Sequence, residues 1–176
     1  MLRYGYSITM ICANTDWRTQ RLQEWRTTAR LHVRAWPSAP VNLRGLTHGE
    51  MRDAIGKALG IAEGETKFSM LDYLGNAITC DAAVITSKLT RDVDHGAYAG
   101  WMLDAVQRPI EVWDRIDSGR MKRHYFSAFG NQRGDVMYYV SVATTLTFQW
   151  STSFHKRSGP GIDEKRNGDF IFRCYG

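Results

Sequence analysis

The chain has 176 residues, 43% of them apolar and 12% aromatic, with only four prolines and a net charge of +5. That length carries one ordinary hydrophobic core rather than two independent domains, and the apolar fraction excludes a disordered chain. The positive charge is spread along the sequence rather than held in a tail, so it fits a basic folded surface and a polyanion partner without requiring one.

No run approaches the roughly 20 consecutive apolar residues of a membrane span, and Met1-Leu2-Arg3-Tyr4-Gly5 lacks the apolar stretch of a signal peptide. The expectation is a protein kept inside a cell with no membrane partner. Cys12, Cys80 and Cys174 are odd in number, far apart and without CxxC or Cys/His ligand spacing. They are expected to be reduced and structural, forming neither a disulfide framework nor a zinc site.

In chain order, Asn14-Thr15-Asp16 offers caps for a first helix from Trp17 to about Arg34. Its Arg18, Arg21, Arg26 and Arg30, interleaved with Trp17 and Trp25, suit phosphate contacts and base stacking; Leu22, Trp25 and Ala29 read instead as a core stripe. Trp36-Pro37-Ser38-Ala39-Pro40 must be a loop. Thr47 and Glu50 have capping-box spacing, Leu46 and Met51 can staple across it, and Gly60 stops the turn, which predicts a helix over 48–59. Residues Lys67 to Cys80 are ambiguous, with Gly75-Asn76 a turn signal. From Thr86 or Thr90 to Gln107 the pattern turns helical, with Val93, Ala97, Trp101 and Ala105 on one stripe and Pro109 closing it.

Past Pro109 the texture is that of strands: Ile110 to Trp113, Arg123 to Phe129, Val136 to Val142, Leu146 to Thr152 and Phe170 to Tyr175. Short turn-rich connectors join them, so consecutive strands should pair antiparallel. The fold class expected is α+β, with N-terminal helices, then a helix and a four- to five-stranded antiparallel sheet. Residues 1–83 read as an N-terminal helical elaboration for docking or regulation, and 84–176 as the second unit.

The order of signals in that second unit carries a family likeness. Val84-Ile85-Thr86-Ser87 leads through Leu89 to His95 and Tyr98; Arg108-Pro109-Ile110-Glu111-Val112-Trp113 follows; then come Arg123-His124-Tyr125-Phe126-Ser127-Ala128-Phe129, Tyr138 to Val142, Ser151-Thr152-Ser153-Phe154 and Phe170-Ile171-Phe172. This resembles the phage-type barnase, EndoU, colicin and RelE-like nuclease domains, and it covers the C-terminal half and none of the first 80 residues. The resemblance implies a small sheet flanked by helices and RNA cleavage without a metal or other cofactor. It also implies a phage or prophage origin as toxin or virion cargo, acting in the host cytoplasm or carried in the particle.

Metal-free RNA cleavage needs a base for the 2′-OH, an acid for the leaving 5′-oxygen and cations at the phosphorane. Histidine suits the first two roles. His124, His95 and His155 lie in the nuclease-like half, His124 beside Arg123 and His155 beside Lys156. The expected site has His124 with His95 or His155 sharing acid and base work and Thr152 orienting the phosphate. Arg123, Lys156, Arg166, Ser153 and Tyr98 would contact the substrate. Strand alternation sets Arg123 and His124 on opposite faces, so one cleft can receive only one of them. RNA is the expected partner, with a phage structural protein or an immunity protein as a further one. The rival expectation is a non-catalytic phage structural or interaction protein that keeps the nuclease fold. HExxH, GxGxxG and P-loop patterns are absent, which sets zinc hydrolases and nucleotide-cofactor enzymes aside.

Overall fold

The architecture comes from a computed structural model that describes residues 33–117, 119–131, 134–143, 149–156 and 168–173. Helix α1, His48–Leu59, forms where the sequence places it. The Thr47 hydroxyl accepts from the Glu50 amide, and the Glu50 carboxylate accepts from the Thr47 amide at 2.7 Å. Gly60 closes the helix at φ 75°, and Leu46 and Met51 both pack on the core.

The ambiguous stretch is a β-hairpin. Strand β2, Lys67–Leu71, pairs antiparallel with β3, Ala77–Asp81, and alternation sends Phe68, Met70 and Ile78 inward. Its turn is organised by Asp72, whose carboxylate accepts from the amides of Leu74 and Asn76 and from the Asn76 side chain.

The single helix expected up to Gln107 is instead a broken series: α2 (Ala82–Thr90), α3 (Val93–Gly96), a 3-10 turn (Ala99–Trp101) and α4 (Met102–Gln107). Asp81 caps the first piece, and Asp92 restarts the chain by accepting from the amides of Asp94 and His95. Gly96 then sits so close to α2 that a Cβ there would stand 2.6 Å from the Leu89 carbonyl oxygen. Continuous apolar periodicity hid two local caps and one close packing contact. The predicted stripe survives the breaks, with Trp101 and Ala105 fully buried.

Strands β4 (Glu111–Asp117), β5 (Arg120–Asn131), β6 (Gly134–Ala143) and β7 (Gln149–Lys156) form the antiparallel meander, and β8 (Asp169–Arg173) returns to pair with β4. The sheet is larger than expected and mixed: of its eight strands among the described residues, seven follow the order β2-β3-β7-β6-β5-β4-β8. β3 runs parallel to β7, and a short β1 (Arg34–Ala35) runs parallel to β5 beyond the end of β4. The expected first helix therefore does not extend to Arg34, and its remainder lies outside the described residues.

The helices cover the sheet face that carries Val112, Tyr125, Ser127, Phe129, Val140 and Val142. Met102, Ala105 and Val106 of α4 share that core, and the Ser127 hydroxyl donates to the Ala105 carbonyl. Leu43, Ile55, Phe68, Met70 and Ile78 belong to the same core. The hairpin thus shares sheet and core with the later strands. Trp101 anchors the 36–41 loop, packing against Trp36 at 5.2 Å and Phe129 at 5.0 Å while its indole donates to the Ser38 carbonyl. No helix among the described residues is long and apolar enough to cross a membrane.

Candidate active site

Alternation along β5 divides the candidate residues between two faces. Tyr125, Ser127 and Phe129 face the helices with Arg123; His124, Phe126 and Ala128 take the opposite face, where Glu111 and Trp113 of β4 stand beside them. Trp113 is directly opposite His124, and Glu111 opposite Phe126. Glu111 and His124 are thus diagonal neighbours, with Cα atoms roughly 7–8 Å apart by sheet geometry.

This second face is buried although none of the described helices lies on it: Glu111, His124 and Ala128 are 0% exposed, Phe126 1% and Trp113 2%. The Trp113 indole donates to Glu111 Oε2 at 2.9 Å. Its ring meets Phe170 of β8 edge-to-face at 5.0 Å. The His124 ring lies 6.5 Å from that of Phe126.

The cross-strand row through His124 continues to Ser141 on β6 and Thr152 on β7, and the row of Ala128 continues through Met137 to Lys156. Thr152 and Lys156 therefore occupy register positions in the rows of His124's face. Ser153 and His155 occupy the alternate positions, opposite Val140 and Tyr138. For β7 the backbone register is what the structure describes. Arg166 lies outside the described residues.

His95 does not join His124. It belongs to α3, on the helical side, with Nδ1 3.1 Å from Asp92 Oδ2. Tyr98 is part of the aromatic packing around Trp101, edge-to-face at 4.5 Å. Arg123 is committed to a partner: its Nε and an η-nitrogen each donate at 2.8 Å to Asp114, both side chains being largely shielded. Those hydrogen bonds hold the guanidinium proton far more tightly than usual. The single cluster expected from sequence is thus split, with His124, Thr152 and Lys156 on one set of rows and Arg123, His95, Ser153 and His155 on the other side or in the other register.

Beside Arg123 is a second polar group. The Tyr125 hydroxyl donates to Asp72 Oδ2 at 2.8 Å, and burial followed by the Asp72 carboxylate drives its pKa well above the ordinary tyrosine range. Burial also raises that of neighbouring Tyr73. These groups tie the β2–β3 turn to the sheet.

Glu111 and Trp113 are the residues the sequence reading missed. Pro109-Ile110-Glu111-Val112-Trp113 marked a strand, and an acid and an indole two apart on a strand share a face, a signal that alternation alone supplies. Glu111 and His124 put a carboxylate and an imidazole in adjacent rows of one buried face, residue types that proton transfer can use. Among the described residues no three His, Cys, Asp or Glu side chains are grouped as metal ligands.

No curated protein and no solved structure matches the chain. A family model does, over residues 54–173, a span that starts within α1 and takes in the β2–β3 hairpin, well before the likeness visible in the sequence. With that match covering most of its length, the chain belongs to the phage-Barnase-EndoU-ColicinE5/D-RelE like nuclease2 family.

Proposed function

We propose that this member of a phage-type nuclease family is an endoribonuclease that works without a metal, with Glu111 and His124 as its acid and base. The observation that carries the reading is their placement in adjacent cross-strand rows of one sheet face. Glu111 takes the 2′-OH proton as the O2′–P bond forms; protonated His124 supplies a proton to the 5′-oxygen as the P–O5′ bond breaks, leaving a 2′,3′-cyclic phosphate. Thr152 and Lys156, at positions in the rows of that face, orient and neutralise the phosphate. The chain itself supplies base, acid and cation, so the reaction has no need of a bound ion. In this reading His95 and His155 take no part in the proton transfers. RNA is the substrate partner, met in a host cytoplasm or delivered from a phage particle as toxin or cargo.

A second reading is favoured by burial: with Glu111 and His124 fully enclosed, the same fold serves as a non-catalytic interaction module docking to a phage structural or immunity protein. Incubating the full chain with total cellular RNA in EDTA separates the two. Cleavage to 2′,3′-cyclic ends by the wild type, lost in His124→Ala, supports the enzyme. Intact RNA with every preparation supports the module.

A further inference from the structure

We propose that Trp113, pinned by Phe170, is the positioning residue for Glu111. The inference rests on the catalytic reading of Glu111 given above and adds the device that holds its carboxylate.

Three observations converge. First, the Trp113 indole donates to Glu111 Oε2 at 2.9 Å between side chains that are 2% and 0% exposed, so this bond is made out of water. A carboxylate held by a rigid indole keeps one rotamer and one plane, which is what a base must have before substrate arrives. Second, the indole is itself fixed, because Phe170 meets it edge-to-face at 5.0 Å and an interplanar angle of 68°. Third, that contact depends on a β-bulge. Glu111 pairs with Arg173 and Val112 with Phe172, so regular antiparallel pairing would set Ile171 opposite Trp113; the shift between Val112 and Trp113 sets Phe170 there instead. Ile171 becomes the extra residue, 42% exposed, and Phe170 is brought onto the face of Trp113 and Glu111. Bulges next to active sites serve to re-aim a side chain in this way.

The test compares wild type, Trp113→Phe, Phe170→Leu and Glu111→Gln in the full chain. Trp113→Phe keeps a ring in place and removes the donor. It should lower kcat by about 10- to 100-fold, as expected for losing a hydrogen bond to a charged group, with KM unchanged and circular dichroism native. Phe170→Leu should give a smaller fall of the same kind. Independently of turnover, the Trp113 indole N–H resonance, assigned in the wild type by connection to its own backbone amide, should shift in Glu111→Gln and exchange faster with solvent in Phe170→Leu. Full activity of Trp113→Phe beside an inactive Glu111→Gln overturns the positioning role and leaves the nuclease reading intact. An inactive wild type overturns both. An indole resonance indifferent to Glu111→Gln overturns the inference whatever the activity, including where Trp113→Phe does not fold.

Discussion

Tyr125 and Asp72, far apart in sequence, are joined by a 2.8 Å hydrogen bond from phenol to carboxylate in the interior, where Asp72 is 4% exposed and Tyr125 0%. That bond fastens the β2–β3 turn to strand β5. Tyr125→Phe should cost about 1–3 kcal/mol, because a buried acceptor loses one donor. Asp72→Ala should cost more, since it also strands the amides of Leu74 and Asn76. Urea titrations of the three proteins measure the order; equal stability of wild type and Tyr125→Phe would contradict it.

The same bond sets a pH dependence. The folded state holds the Tyr125 proton more tightly than the unfolded chain does, so this contribution is complete below about pH 10 and declines as pH climbs past it. Wild type should lose stability steeply in that alkaline range. Tyr125→Phe should show a shallower slope, with Tyr73, also raised, accounting for part of the remainder.

Gly96 is a packing requirement of the broken helical series. An added Cβ would meet the Leu89 carbonyl at 2.6 Å and the Cδ1 atoms of Ile55 and Leu43 at 3.0 Å. Gly96→Ala should destabilise by about 1–3 kcal/mol through overpacking, read as a lower thermal midpoint. Gly49→Ala, with open space around it, should leave the midpoint near that of wild type.

Arg123 is paired with Asp114 through two hydrogen bonds. Lysine cannot reproduce its two-pronged contact with Asp114, so Arg123→Lys should cost roughly 1–2 kcal/mol. The salt dependence of RNA binding should not change, since a lost phosphate contact would lower the slope by about one unit. Lys156→Ala should lower it.

Glu111 and His124 are fully buried, so on the proposed nuclease reading RNA would reach them only when the face opens locally. Cleavage rates should therefore rise at low, sub-denaturing urea and collapse at the global transition. A monotonic fall from zero urea would show that opening does not limit access.

Local chemistry was legible in the sequence, and pairings across strands were not. The Thr47–Glu50 box and Gly60 fix α1 because every partner lies within one turn. The strands after Pro109 were visible from β-branched and aromatic runs, and alternation correctly separated Arg123 from His124. The hairpin at 67–81 was obscured because its turn depends on one aspartate accepting several hydrogens, which composition does not reveal. The parallel pairing of β3 with β7 joins segments too distant for any local pattern. The proposed pairing was illegible for a related reason: basic residues beside histidines drew attention to Arg123 and His155, whereas the register that sets Glu111 one row from His124 joins two strands.

The most direct measurement is single-turnover cleavage in EDTA, at one fixed pH, of a defined RNA and of the same RNA with sulfur in place of the bridging 5′-oxygen, by wild type, Glu111→Gln and His124→Ala. A sulfur leaving group needs no proton, so His124→Ala should cleave the sulfur-bridged RNA at close to the wild-type rate while failing on ordinary RNA, and Glu111→Gln should fail on both. A His124→Ala that fails equally on both substrates, or a Glu111→Gln as fast as wild type, would contradict the assignment of this pair as base and acid.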